Sequence, residues 1–258
     1  MAEFSGQLRR APVVYVLCQI RFSAVLKMAN YLPVIQEGLR ERFPRFRHEV
    51  LNAIELSAPG GPLTQRTEDR WVLNDVADTS GYLIQQAAMV YHTTAYTEFD
   101  EFLRHTLIGI QEIANAAKIS LIERVGLRYI DFIVPDRGEE LGAYLDPGLT
   151  GLSLRPLGFQ QETMQQFTSA RTDAGRLILK VSSGTHPQVV PGDLQPLSLK
   201  ARMPEADRQT TLLDSDHFTE EGFKFEPQRL ESVVRQLHVP ISKVFRAAIT
   251  KHAWEKWQ

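Results

Sequence analysis

Residues 13–22 read Val-Val-Tyr-Val-Leu-Cys-Gln-Ile-Arg-Phe, and this stretch indicates which kind of fold the chain can form. Its even positions are all apolar, whereas its odd positions run into the polar residues Gln19 and Arg21. Because successive side chains of a β-strand point to opposite faces of a sheet, this alternation predicts a strand with one face in the core. Cys18 lies on the apolar face, so we expect it to be a small buried side chain and not a nucleophile.

Helices are predicted where apolar residues recur with a helical period. Such stripes run through residues 32–43, 99–114 and 230–248. Thr97 precedes the second stripe and Asp100 lies three residues further on, a spacing that is typical of a capping box at the start of a helix.

β-Branched and aromatic residues are frequent between and after these helices. They predict long strands over residues 81–96 and 119–134. Residues 159–171 and 176–183 are predicted to form a hairpin, and residues 209–218 a further strand. The sequence therefore predicts an α+β fold, with an antiparallel sheet or sheets and a few helices packed on one face.

The two parts of the chain have a similar order of elements. Each contains strands followed by a helix, which indicates two similar halves. Residues 136–157 are rich in glycine and carry prolines, which is typical of a connection. We therefore predict an N-terminal α+β half over residues 1–135, a connection over 136–157, and a C-terminal α+β half over 158–258 that ends in a helix.

The composition excludes several classes of protein. The 258 residues are 43% hydrophobic, which is enough for a core and excludes a disordered chain. With 29 lysines and arginines against 31 acidic residues, the net charge of −2 provides no overall field that would attract a polyanion. No apolar run is long enough for a membrane-spanning helix, and the single cysteine cannot form an internal disulfide. These observations predict a cytoplasmic protein without a membrane partner.

The motifs of common cofactor-binding and hydrolytic folds are missing from the sequence. The chain contains no P-loop, no dinucleotide-binding glycine motif, no G-x-S-x-G nucleophile elbow, no H-E-x-x-H and no EF-hand loop. We therefore expect no cofactor. An enzymatic site would have to be assembled from dispersed residues.

Two carboxylates on a predicted strand are weak candidates for a metal site. Asp214 and Asp216 would project from the same face and could share a divalent cation, with His217 on the opposite side. The alternative is a polar strand end, where these side chains cap the next turn. A third acid at suitable spacing is missing, so we expect no metal ion.

A further candidate lies in residues 123–131, Glu-Arg-Val-Gly-Leu-Arg-Tyr-Ile-Asp. On one strand, Arg124 and Arg128 would share a face about 13 Å apart, far enough to bind two phosphates or two carboxylates. Alternatively, they pair with acidic residues of neighbouring strands and tie the sheet together. A bulge at Gly126 would change which side chains share a face.

Arginines and aromatic residues alternate after the first predicted helix. Arg42, Arg45 and Arg47 stand next to Phe43 and Phe46, a composition that can contact nucleic acid. The alternative is an arginine-rich helix end exposed to solvent, because cations are favourable near the C-terminus of a helix.

Three segments of the chain together carry a resemblance to a family. They are residues 11–22, residues 93–102 together with 123–131, and residues 237–250. The most specific part is Gly-Leu-Arg-Tyr at 126–129. The segments resemble a sporadically distributed bacterial family of chains about as long as this one, which is defined by sequence and not by activity. Asp131 stands where that family more often has asparagine.

The missing motifs favour a non-enzymatic protein-interaction module. The patchy distribution of the family is typical of accessory genes, which implies an accessory or neutralising partner in a bacterial defence or toxin–antitoxin operon. Its partner would be another protein encoded nearby, and a homodimer is a further option. The alternatives are an enzyme with a dispersed acid and arginine site, and a nucleic-acid-binding protein that uses Arg42, Arg45 and Arg47.

Overall fold

The structure is a computed structural model of the chain. It describes residues 4, 6, 8–56, 63–152, 154–185, 190–201 and 209–258, and only the backbone of residues 52–56, 63–66 and 155. The strands in this part of the chain are β1 Val13–Phe22, β2 Arg45–Leu56, β3 Leu63–Asn74, β4 Ser80–Ile84, β5 Ala88–Thr93, β6 Leu121–Ile133, β7 Thr163–Thr172, β8 Gly175–Gly184, β9 Thr210–Thr219 and β10 Phe223–Lys224. The α-helices are α1 Met28–Leu39, α2 Phe99–Ala117, α3 Pro227–Ala248 and α4 Lys251–Trp257. None of these helices is long and apolar enough to cross a membrane.

All ten strands of the described residues belong to one antiparallel sheet, which confirms the predicted α+β class. The strand order is β2-β3-β4-β5-β1-β6-β9-β8-β7, and β10 pairs with one end of β6. β1 and β6 are neighbours at the centre. On one side, β2 to β5 form a meander, and its last strand, β5, pairs with β1. On the other side, β7 to β9 form a meander, and its last strand, β9, pairs with β6. The two sides thus share one connectivity, while the domain boundaries remain a prediction.

The helices α1, α2 and α3 pack together on one face of the sheet, as the apolar stripes predicted. They bury Ile35, Ile110 and Val234, respectively, in one core with Cys18 of β1 and Leu127 of β6. Burial of one such aliphatic side chain stabilises the fold by about 1.5–3 kcal/mol. Cys18 is fully buried, and this raises the pKa of its thiol to about 12, so the side chain is a packing residue as expected.

The opposite face of the sheet is partly covered by residues 190–200, which we call the cover segment. Leu194 and Leu199 of this segment pack against Leu17 and Val90 of the sheet. The second face therefore has a small apolar cluster of its own, next to which polar side chains remain accessible.

The prediction of one long strand over residues 81–96 is wrong. β4 ends at Ile84, and the chain turns back into β5, where the Gln85 N–H donates to the Ala88 carbonyl oxygen (2.9 Å). The turn contains neither glycine nor proline, so no residue in it marks a turn.

The predicted capping box before α2 is also wrong. Glu98 occupies the N-cap position and forms no side-chain hydrogen bond there. The Thr97 hydroxyl instead donates to the Glu101 carboxylate (2.6 Å). The helix start is stabilised by Asp100 and Glu101, because negative charges are favourable near a helix N-terminus.

The predicted connection over residues 136–157 packs against the C-terminal end of the chain. Leu145 forms a β-bridge with Ile249, and Tyr144 and Trp254 belong to the small core around this contact. The connection is therefore an integral part of the fold.

Asp131 of β6 lies on the face that the helices cover and is 4% exposed. None of the described residues forms a hydrogen bond with its carboxyl group. Burial raises the pKa of this carboxyl to about 7, because desolvation disfavours the charged form. Ionisation of Asp131 therefore opposes folding.

We predict that Asp131→Asn stabilises the protein at pH 8. The pKa of Asp131 in the folded state, about 7, lies above its ordinary value of 3.8, so stability is lost as the pH rises through this window. The neutral amide avoids this loss, and we expect a gain on the order of 1–4 kcal/mol at pH 8 and little gain at pH 4. Urea denaturation of both proteins across this range measures the difference, and parallel stability curves would contradict the prediction.

Candidate functional site

Charged side chains gather on the face of the sheet that the helices leave free. On β6, Arg124 and Arg128 both point to this face, because the pairing with β9 continues through Gly126 without a register shift. On β9, Asp214 and Asp216 point to the same face, and Asp216 lies directly opposite Arg128. As predicted, Arg124 and Arg128 share one face of β6, and Asp214 and Asp216 share one face of β9. No bulge forms at Gly126.

Arg128 is held between two carboxylates. Its Nε and Nη2 donate to the two carboxylate oxygens of Asp214, each at 2.7 Å, and its Nη1 donates to Asp193 of the cover segment (2.7 Å). Burial lowers the pKa of Arg128, but these hydrogen bonds raise it above its ordinary value, and they lower the pKa of Asp193. This arrangement ties β6 to β9 and fastens the cover segment to the sheet. Arg128 therefore serves as a structural cation.

Arg124 is in a different environment. Its guanidinium lies beside Gly126, where an added Cβ atom would come within 2.7 Å of Nη1. Nη1 donates to Gln19 Oε1 (2.7 Å), and the guanidinium carbon lies 4.5 Å from the centre of the Phe218 ring. No carboxylate among the described residues forms an ion pair with Arg124, and burial lowers its pKa. Arg124 is thus a partly buried cation with most of its N–H donors unmatched by the described residues.

Asp216 lies near both arginines. Neither Arg124 nor Arg128 forms a hydrogen bond with its carboxylate. Burial raises the pKa of Asp216, and the positive charges of the two arginines oppose this shift. Asp216 is therefore a second partly buried charge without a direct partner among the described residues.

These side chains line a cleft of roughly 340 Å³ between the sheet and the cover segment. Arg124, Arg128 and Asp216 form its polar floor. Arg70 and Asp193 also line the cleft. The aliphatic residues and the proline in its walls are Leu17, Leu51, Leu83, Val90, Leu194, Pro196 and Leu197. The volume lies in the lower part of the range observed for small-molecule pockets.

His92 holds the cover segment at the other end of the cleft. The imidazole is fully buried, with Nδ1 2.7 Å from the Tyr15 hydroxyl and Nε2 3.3 Å from Ser198 Oγ. Burial, followed by the charge of Arg70, lowers the pKa of His92 to about 3. The ring is therefore neutral and a weak base at neutral pH, so the contact with Ser198 is a structural link.

Two of the three arginines of the predicted nucleic-acid contact lie beside carboxylates. Arg45 pairs with Asp78 (3.1 Å), and Arg47 lies 3.8 Å from Glu49. Arg42 lines a separate pocket together with three acidic residues. The segment therefore does not present an uncompensated basic patch.

Asp214 and Asp216 share a face but are not joined by His217. Both oxygens of Asp214 accept hydrogen bonds from Arg128. His217 points to the opposite face, where its Nδ1 lies 2.7 Å from the Leu237 carbonyl oxygen. Within the described ranges, no three histidine, cysteine or acidic side chains are grouped so that they could hold a metal ion.

The edge of the sheet at β7 is a second feature with functional potential. β7 pairs with β8 along its whole length, and no strand in the described part of the chain pairs with its other side. Its single charged residue is Arg171, and Phe167 near its centre is 64% exposed. The segment that leads into β7 also exposes Leu152, Leu157 and Phe159.

Several residues of the cleft or in contact with Arg124 were not candidates in the sequence. Asp193 lies 65 positions from Arg128 in the chain, and no motif connects the two. Gln19 carried one signal, since it is a polar residue on a strand of mostly apolar residues. Phe218 carried none, because an aromatic residue at a strand end is ordinary in a sheet.

We predict that Arg128→Met destabilises the protein by about 3–5 kcal/mol, because Asp214 is then buried without its partner. Asp193→Asn removes the more exposed partner of the same guanidinium and is expected to cost less than about 1 kcal/mol. Urea denaturation measures both changes. An equal loss of unfolding free energy in Arg128→Met and Asp193→Asn would show that the contact with Asp214 does not join β6 to β9.

No protein-family model and no curated protein matches the sequence. The cleft and the edge at β7 are therefore the features from which a function can be inferred.

Proposed function

We propose that the protein is a non-enzymatic protein-interaction module that binds an extended segment of a partner along β7. A strand added at this edge would satisfy the backbone N–H and C=O groups that point away from β8. The observation that carries the proposal is a ten-residue edge strand with one charged residue and an exposed Phe167.

The opposite edge of the sheet, β2, has a different character. Arg45, Arg47, His48 and Glu49 place charged or titratable side chains along its first half. In natural sheets, such side chains protect an edge strand against pairing with the strand of another chain. Because β7 lacks this protection, it is the better site for strand addition.

The side chains along β7 also define the chemistry of the partner segment. Apart from Arg171, they are polar and uncharged or apolar, and Phe167 exposes its ring in the middle of the strand. Cross-strand aromatic and β-branched pairs stabilise antiparallel pairing. An uncharged partner strand with an apolar residue opposite Phe167 fits this edge.

We also propose that the partner is encoded nearby, as the expected resemblance to a sporadically distributed bacterial family implies. In this proposal the protein is an accessory or neutralising component of a bacterial defence or toxin–antitoxin operon, and a second copy of the chain is the competing occupant of β7. We also propose a cytoplasmic location, because Cys18 is the single cysteine of the chain and is fully buried.

The alternative functions have weaker support. Binding of nucleic acid is disfavoured because Arg45 and Arg47 lie beside carboxylates, and Arg42 lines a pocket together with three acidic residues. An enzyme with a dispersed site has one observation in its favour, which is the cleft that brings Asp193 and Asp216 together with Arg70, Arg124 and Arg128.

We predict that Phe167→Lys prevents capture of the partner. The substitution places a charge at the centre of the edge strand and is expected to weaken binding at least about tenfold. Since Phe167 is 64% exposed, the stability of the protein should change little. Tagged protein is purified from its native host, and co-purifying proteins are identified by mass spectrometry.

Phe46→Lys is the matched control, because Phe46 is an exposed phenylalanine near the charged end of the opposite edge strand, β2. We expect it to retain the partner. A partner that both variants retain equally would contradict binding at β7. Wild-type protein that captures no partner and is monomeric in solution would contradict the interaction function itself.

A further inference from the structure

We propose that the cleft between the sheet and the cover segment binds a small organic molecule that carries a carboxylate or phosphate together with a hydrogen-bond donor. Arg124 holds the anionic group, and Asp216 accepts a hydrogen bond from the donor. The site lies on the face of the sheet and is separate from the edge at which β7 takes up a partner strand.

Arg124 has the donors and the charge that an anionic group requires. One of its five N–H donors is used by Gln19, and the Phe218 ring packs against the guanidinium. The remaining donors have no partner among the described residues. A cation that is partly removed from water without an ion pair is unfavourable, and an anion bound in the cleft restores the missing interaction. The planar guanidinium suits carboxylate and phosphate oxygens equally.

The other two arginines that line the cleft, Arg70 and Arg128, cannot take this role. Arg70 donates from Nε and Nη2 to Glu49 Oε2 and is therefore already paired with a carboxylate. The guanidinium of Arg128 already donates to both oxygens of Asp214 and to Asp193. Its positive charge is therefore balanced within the protein. Of the two arginines of β6, Arg128 therefore stabilises the fold, and Arg124 is the one available to bind a ligand.

Asp216 limits the chemistry of the ligand. Its carboxylate lies in the same cleft as Arg124 and would repel a molecule that is purely anionic. A ligand that also carries an ammonium or hydroxyl group can donate to Asp216. The apolar side chains of Leu17, Val90 and Leu194 in the walls accommodate a short carbon skeleton, in keeping with the volume of roughly 340 Å³.

Gly126 explains how the guanidinium of Arg124 comes to lie on the floor of the cleft. A Cβ atom at this position would come within 2.7 Å of Arg124 Nη1. Glycine is otherwise unfavourable within a strand, and close approach of another group is one reason for its presence. Because the group in the way is the end of a flexible side chain, Gly126→Ala is expected to fold and to displace the guanidinium from Gln19.

A titration followed by NMR with three small probes tests the proposal. O-Phosphoethanolamine and β-alanine both carry an ammonium group and differ in their anionic group, whereas propionate lacks the ammonium. We expect at least one of the first two to shift the amide resonances around Gly126 and Asp216, and propionate to bind more weakly. Titration to about 10 mM covers the millimolar Kd expected of molecules this small. If none of the probes shifts these resonances, the proposal is overturned.

Substitutions then test whether the probe binds in the cleft. Arg124→Gln is expected to weaken binding of the probe by about 10- to 100-fold, because it removes charge-assisted hydrogen bonds. Gly126→Ala keeps every charge and is expected to weaken binding by about tenfold, through the position of the guanidinium alone. Asp216→Asn should reduce the preference for the probe with an ammonium group over propionate.

Arg40→Gln is the matched control, since it removes an exposed arginine outside the cleft. It should leave binding unchanged, as should Phe167→Lys, so that failure at this site and failure at β7 can be distinguished. Thermal melting shows that each variant is folded. Equal affinity of wild-type protein and Arg124→Gln would overturn the proposal, and so would an equal loss in Arg124→Gln and Arg40→Gln.

Discussion

The pairing of β1 with β6 at the centre of the sheet is the constraint on which the rest of the structure depends. In this register, Cys18 and Leu127 face the helices, whereas Arg124 and Arg128 face the cleft. A slip by one residue would exchange the two faces of a strand, because side chains alternate with a period of two. The arginines of β6 would then be buried under the helices. The apolar core beneath the helices therefore fixes the register, and the register fixes where the charges lie.

Much of the fold follows from the sequence where the two faces of a strand differ. β1 begins and ends at the predicted residues, because one face is fully apolar and the other ends in Gln19 and Arg21. β4 and β5 are harder to separate. Every residue of β5 is buried, so the alternation that marks a strand is lost there, and the turn at Gln85 contains no residue that demands a turn. The boundaries of a strand that is buried on both faces therefore cannot be predicted from alternation in its sequence.

The candidate site could be predicted only in part. The period of a strand was enough to place Arg124 and Arg128 on one face and Asp214 and Asp216 on one face. It could not show that one arginine is paired and the other is not. That difference depends on Asp214 of the neighbouring strand and on Asp193, which comes from a remote segment of the chain. It also depends on the space beside Gly126 that the guanidinium of Arg124 occupies, and the alternation of side chains along a strand does not show this space.

The position of β9 in the sheet has a consequence for the order in which the chain folds. Among the described strands, the β7–β8 hairpin hydrogen-bonds to the rest of the sheet only through β9, which comes after it in the sequence. During synthesis, β1 to β5 can pair as they emerge from the ribosome, whereas the hairpin has no neighbour until β9 has been made. This side of the sheet is therefore completed late in translation, and the intervening period exposes unpaired strand edges to other nascent chains.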